Sequence, residues 1–348
     1  MRSEMRATRE AVALYDERTF GKLLLQGPDA LALLQRLCAN DVDVAPGRVV
    51  YTVWLDETGR IVVDLTVMRL GAERFLVVCG PEHHTRVLSW MRRHLPVGAD
   101  VVIDDVTDAT VLLSLQGPRA REVLATLTSA DLSAAAQPHL SVRELEVAGV
   151  PLLLARVTYV GELGFELYAP ADRAVELFDA LLAAGSDLGL RLAGAAAMES
   201  LRTEKGNLEY AVDLDNTDTP MQVGLTFLVA WDKPGGFVGR DALADINASG
   251  PPSTRLVRFL ALDPSVELFG HEVVCRDGRE VGHLRYGTFG HTLGSSCGQG
   301  MVHRADGPVT TEWLTAGEFT LHVNGAVVPA VASLRGFHDP DGLRYRHA

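Results

Sequence analysis

The stretch VVYTVWLDETGRIVVDLTVMRL (49–70) carries two alternating apolar runs joined by Asp56-Glu57-Thr58-Gly59, the pattern of a β-hairpin with faces of different polarity. Such a hairpin needs a layer to cover its apolar face, so the segments around it decide the fold class. Before it, GPDALALLQRLCAND (27–41) has apolar residues at helical spacing and predicts an amphipathic helix ending before Asn40-Asp41. After it come a strand in ERFLVVC (73–79), a helix in EHHTRVLSWMRRHL (82–95), a strand in VLLSLQG (111–117) and a helix in PRAREVLATL (118–127). A β-β-β-α-β-α order of this kind lacks the strict alternation of a doubly wound sheet and implies small two-layer α+β modules.

Residues 140–170 are again strand-rich, and helices are predicted in DRAVELFDALLAAGSDLGL (172–190) and GAAAMESLRTEKGN (194–207). The Gly-Pro-Pro run in DINASGPPST (245–254) reads as a linker, and beyond it the chain is nearly all short strands punctuated by the hairpin turns RDG and VNG. The tail is therefore expected to be an all-β domain. A length of 348 residues suits two or three domains, and 47% hydrophobic with 22% charged residues is ordinary globular composition. A net charge of −13 argues against nucleic acid and against a basic membrane-binding patch. Four scattered cysteines, Cys38, Cys79, Cys275 and Cys297, form no CxxC pair and read as reduced thiols. With no apolar leader and no window long enough to span a bilayer, a cytoplasmic location is expected.

The chemistry-bearing motifs are few. No G-x-G-x-x-G follows a strand, and neither a P-loop nor a G-x-S-x-G elbow occurs. The histidines show no ligand spacing, so no metal site is expected. Asp64 shares a strand face with Val62 and Thr66, opposite Ile61, Val63, Leu65 and Val67. Taken alone, it fits a solvated strand position or a carboxylate partly buried beneath a second module. In RVTYVGELGFELY (156–168), a four-residue loop Gly161–Gly164 would set Tyr159 opposite Glu166 on one hairpin face. That pair fits an exposed polar contact or a binding site. Arg202, near a helix end in ESLRTEKG, fits a surface network with Glu199 or Glu204.

Six blocks in fixed order carry a resemblance: residues 15–42, 47–67, LSLQGPRAREVL (113–124), TYVGELGFELY (158–168), ESLRTEKGNLEYAVDLDNTDTPMQVGL (199–225) and DKPGGFVGRDAL (232–243). Together they resemble the tetrahydrofolate-binding T-protein (aminomethyltransferase) family, with wording nearest the folate domains of sarcosine and dimethylglycine dehydrogenases. The resemblance implies an α+β fold, a three-domain cloverleaf of two α+β modules and a C-terminal all-β barrel-like domain around a central folate site. It divides the chain into 1–46 plus 141–250, 47–140, and 254–345. It also implies tetrahydrofolate as cofactor, Asp64 as the catalytic carboxylate at N5, and Tyr51, Tyr159, Glu166 and Arg202 as cofactor-binding residues. A carboxylate such as Glu166 suits the two N–H donors of a pterin edge, and the Tyr159 ring suits its flat bicycle.

The sequence departs from the family wording at Arg60, where the usual Gly-Gly is broken, at Gln222 in TPMQ, at Cys79 and at Tyr286. These departures leave the one-carbon donor open. A demethylase-like transfer from an activated N-, O- or S-linked donor to N5 is the first reading, and the glycine cleavage aminomethyltransferase is the second. A non-catalytic folate-binding regulatory or assembly protein is the third. Neutral N-methyl amines are poor donors, so a separate flavoprotein or a lipoyl carrier protein is the partner implied besides the small-molecule donor.

Overall fold

The computed structural model describes residues 1–346. Its first elements are helix α1 (Arg2–Glu10), strands β1 (Val12–Asp16) and β2 (Gly21–Gln26), helix α2 (Ala30–Leu37), and strands β3 (Arg48–Leu55), β4 (Ile61–Arg69) and β5 (Arg74–Cys79). Helix α3 (His84–His94), strands β6 (Val102–Asp105) and β7 (Thr110–Gln116), helix α4 (Ala120–Ala125), and strands β8 (Ser141–Val147), β9 (Val150–Arg156) and β10 (Gly164–Pro170) follow. Next come α5 (Ala174–Gly185), β11 (Leu190–Ala193), α6 (Ala195–Lys205), α7 (Pro220–Val223) and α8 (Arg240–Ala248). The last part holds β12 (Thr254–Ala261), β13 (Val273–Arg276), β14 (Arg279–Gly290), β15 (Ser295–His303), α9 (Thr311–Thr315), β16 (Phe319–Val323), β17 (Ala326–Ser333) and α10 (Leu343–Arg346).

The hairpin of residues 49–70 forms as its pattern requires. Asp56 Oδ1 accepts hydrogen bonds from the amides of Thr58 (2.9 Å) and Arg60 (3.0 Å), an Asx-type turn that fixes the reversal between β3 and β4. Gly59 sits at φ +79, and a Cβ there would come within 3.0 Å of the Leu243 backbone, so the turn can dock closely on α8.

Eleven strands form one sheet in the order β11-β1-β7-β10-β9-β8-β3-β4-β5-β2-β6, antiparallel except for the parallel β1–β11 pair. It consists of two halves joined where Arg48 of β3 pairs with Ser141 of β8. One half buries Leu14, Leu113, Leu154, Phe165 and Leu167 against α4 and α5; the other buries Leu23, Trp54, Val63 and Phe75 against α2 and α3. A further cluster joins the halves, with Val49, Met68, Leu76 and Val78 of one meeting Leu112, Val142, Ala155 and Tyr168 of the other. Strand pairing crosses the boundaries expected at residues 46 and 140: β2 lies beside β5 in the half with β3 and β4, whereas β7 lies between β1 and β10. The reason is long-range register, since β1 and β2 adjoin in sequence but pair with strands of different halves.

Beyond the linker, β12, β15, β14, β13, β16 and β17 close into a barrel of six strands around Val257, Phe259, Leu284 and Leu321. Residues 208–243 form another cluster with the β3–β4 hairpin, in which Leu208, Tyr210, Leu225 and Phe237 cover Val53, Leu55 and Ile61. Gln222, which replaces an acid of the family wording, completes a capping box on α7: the Thr219 amide donates to its Oε1 at 2.9 Å. Among the described residues no helix is long and apolar enough to cross a membrane.

Candidate folate site

Asp64 lies on β4 with Leu65 and Val67 buried and Thr66 half-buried, as alternation predicts. Tyr51 of β3 pairs with Thr66, one step along the same face, and its hydroxyl donates to Asp64 Oδ2 at 2.7 Å. Burial raises the Asp64 carboxyl above its ordinary value, and the Tyr51 hydrogen bond and the nearby His83 act in the opposite direction. Burial and the Asp64 charge both push the Tyr51 phenol well up. Both side chains nevertheless keep part of their surface open. A carboxylate deep enough to be desolvated yet still reachable is placed to act on a bound cationic or proton-bearing group.

Tyr159 stands elsewhere than the hairpin reading puts it. Strand β9 ends at Arg156, and Glu166 pairs with Ala155, so Tyr159 and Glu166 are not cross-strand partners. Tyr159 sits in a loop, 157–163, whose hydrogen bonds go to other parts of the chain: its hydroxyl donates to Leu208 O at 3.0 Å and its carbonyl accepts from Asn207 Nδ2. These tertiary bonds override the tight turn that the two glycines invite. The Tyr159 ring remains half-open, lies within electrostatic reach of Tyr51, and has its phenol raised chiefly by burial.

Glu166, on β10, pairs across to Ser114 of β7 and accepts a hydrogen bond from the Tyr168 hydroxyl. Burial pushes it up to about 7. Glu17, buried in the turn after β1, hydrogen-bonds Ser114 and is raised by burial and by the Glu166 charge. Among the described residues no basic side chain pairs with either glutamate. Two carboxyl groups without a cation can accept hydrogen bonds from the N–H groups of a ligand.

Arg202 is fully buried. Its guanidinium meets Glu199 at 2.6 Å, Glu209 at 3.1 Å and Asp213, and lies 4.8 Å from the centre of the Tyr286 ring. Three carboxylates around one cation leave excess negative charge, and burial with the Glu199 charge pushes Glu209 up to about 8. Arg202 therefore stands behind Tyr159 and Tyr286, with no surface of its own exposed. The structure thus links Tyr51, Asp64, Tyr159 and Arg202 by contact or electrostatic reach, and sets Glu166 in a second group with Tyr168, Ser114 and Glu17. Two surface depressions, one near Arg36, His94 and Arg240 and one near Arg60, Gln222 and Pro251, include none of the five residues. Sequence reasoning missed Glu17; its signal was the second of two adjacent acids in YDERTF, ahead of an apolar strand.

Comparison with known proteins decides the family. Residues 1–233 match the GCVT N-terminal domain, and residues 255–339 match the glycine cleavage T-protein C-terminal barrel domain. The chain belongs to the glycine cleavage T-protein family. This T-protein family member is 38% identical over 99% of its length to a 4-methylaminobutanoate oxidase (formaldehyde-forming) of Paenarthrobacter nicotinovorans, and spans 40% of that relative. It is 33% identical to human mitochondrial sarcosine dehydrogenase over 99% of its own length, again spanning only 39% of the relative. An aminomethyltransferase of Geobacillus thermodenitrificans is 36% identical over 87% of this chain, which covers 82% of that protein. The crystal structure of glycine cleavage system aminomethyltransferase T from Bartonella henselae superposes over 99% of the chain with a TM-score of 0.84 at 25% identity. The α+β architecture with a C-terminal barrel is thus that of the T-protein fold.

Proposed function

We propose that this T-protein family member is a tetrahydrofolate-dependent one-carbon transferase that moves a methyl or methylene group from an activated donor to N5 of tetrahydrofolate. The observation that carries the reading is the Tyr51–Asp64 pair, 2.7 Å apart across the mostly buried strands β3 and β4 and still partly open to solvent. Bound tetrahydrofolate supplies N5 as the nucleophile that accepts the carbon. Glu166 holds the N–H edge of the pterin, and Tyr51 and Tyr159 offer ring surface beside it. Asp64 stabilises positive charge developing at the reacting centre and takes or returns a proton there; Tyr51 orients it through one hydrogen bond. Arg202, wholly buried, fixes the electrostatics behind Tyr159.

The relatives named for 4-methylaminobutanoate and sarcosine act, by those names, on N-methyl amino acids, which supports an N-linked donor. Such a donor reaches a transferase in activated form from a flavoprotein, as an iminium. Transfer from a lipoyl carrier is the second reading, favoured by the aminomethyltransferases whose length this chain nearly spans. The test is Asp64→Asn with formaldehyde-derived iminium and tetrahydrofolate, read by mass spectrometry of folate products. Loss of on the order of 100-fold in turnover, with folate affinity and melting temperature kept, is expected. Near wild-type turnover would remove Asp64 from the mechanism.

A further inference from the structure

Arg9, at the end of α1, is 6% exposed and faces two buried carboxylates: its Nη1 lies 3.0 Å from Glu162 and its Nη2 2.8 Å from Glu204. Glu162 belongs to the 157–163 loop that carries Tyr159, and Glu204 belongs to α6. One guanidinium balances only one of these charges. The second cation comes from the far end of the chain. Arg344 Nε lies 2.7 Å and 3.0 Å from the two Glu162 oxygens, its Nη2 donates to Arg9 O at 2.9 Å, and His338 Nε2 stands 3.0 Å from Glu162.

The same C-terminal segment grips the residues that anchor Tyr159 from the other side. The amides of Phe337 and His338 donate to Glu204 O at 3.0 and 2.9 Å, and Lys205 pairs with Asp339. Lys205 also lies against Gly161, and Gly336 is packed on the Lys205–Gly206 backbone. Asn207 and Leu208, the next residues, hold the Tyr159 carbonyl and hydroxyl. Loop and anchor are thus both bound to one segment, while no strand pairing holds 157–163.

Resting on the folate reading above, we propose that residues 335–346 position the Tyr159 loop for folate, with Arg344 acting as a positioning residue through Glu162. Without Arg344, the buried Glu162 carboxylate is under-compensated, and the loop gains by turning it toward water. The loop can do so because its backbone belongs to no ladder and is held by single bonds, such as those to Gly117, Arg9 and Asn207.

The test uses the full chain with Arg344→Ala and Arg344→Lys, read by tetrahydrofolate affinity, steady-state kinetics and amide hydrogen exchange. In Arg344→Ala, exchange should quicken in peptides covering 157–163 and 204–208 but not in the barrel strands. Folate affinity should fall roughly 10-fold with kcat at saturation within about 3-fold, and Arg344→Lys should recover part of the loss. Unchanged exchange in 157–163, or faster exchange with unchanged affinity, overturns the positioning role. Should Arg344→Ala fail to fold, Glu162→Gln reads the same coupling, because it removes the charge that Arg344 balances. If the wild type binds no tetrahydrofolate, the folate reading falls on its own, and the exchange data still decide whether the segment sets the loop.

Discussion

Glu166 is a carboxylate in a place where its charge is costly. Burial lifts its pKa from 4.5 to about 7, and the Tyr168 hydrogen bond only partly offsets this. A carboxyl that holds its proton more tightly when folded contributes stability below its unfolded value, and that contribution is lost as the pH rises through the folded value. The window here runs from about 4.5 to about 7. Glu166→Gln, neutral throughout, should therefore unfold later than wild type at pH 8, by on the order of 1–3 kcal/mol, and nearly together with it at pH 5. Calorimetry at the two pH values checks this; an equal gain at both would mean the charge is not the cause. If Glu166 holds the pterin edge as proposed, the same variant should bind tetrahydrofolate more weakly at pH 8. The strand face of Asp64 was legible in the sequence from alternation, whereas its proposed part in a site, like that of Tyr51, came from the family wording. Glu17 was not, since its burial depends on β1 pairing with β7, far along the chain.

The two hairpins show what local sequence decides. The β3–β4 turn is made by Asp56 and Gly59 acting on their neighbours, and it formed where the pattern put it. The β9–β10 connection opened into a loop because Arg9, Asn207 and Arg344, all distant in sequence, bond to it. Helix α6 ends at Gly206, in the left-handed region at φ +82, and a Cβ there would come 2.8 Å from Gly336 Cα. Gly149 has nearly the same conformation, φ +76, with open space around it. Gly149→Ala should cost about 1 kcal/mol, the conformational penalty alone, whereas Gly206→Ala should cost about 2–4 kcal/mol because the C-terminal segment must shift as well. Urea unfolding of both variants measures the difference. Equal costs would show that the segment packs loosely on α6.

The barrel was readable as a unit because its turns are local. Asp277-Gly278 and Asn324-Gly325 all have positive φ, as two-residue hairpin turns require. Its docking on the sheet was not readable, since beside the apolar contact of Leu256 and Met301 with the 208–243 segment it rests on polar contacts scattered along the chain. Arg258, 9% exposed, donates to Gly206 O and Leu334 O at 2.9 Å each; Ser200 Oγ donates to Phe289 O at 2.8 Å; Arg285 pairs with Asp218. Helix α6 thus touches the Tyr159 loop through Lys205, which lies against Gly161, and β14 through Ser200. Buried bonds of this kind, lost together when either body opens, couple the melting of barrel and sheet. Wild type should show one calorimetric transition with van't Hoff and calorimetric enthalpies in agreement. Tetrahydrofolate at a hundred times its dissociation constant should raise that transition as a whole, by about 2.7 kcal/mol or ~4 °C for a unit of this size. Arg258→Leu keeps the apolar bulk but leaves two carbonyls without their donor, so it should split the trace into two transitions, of which folate shifts only the one belonging to the sheet. A single transition in that variant, moved by folate as in wild type, would show that the barrel is held by its apolar contacts and that the arginine adds little.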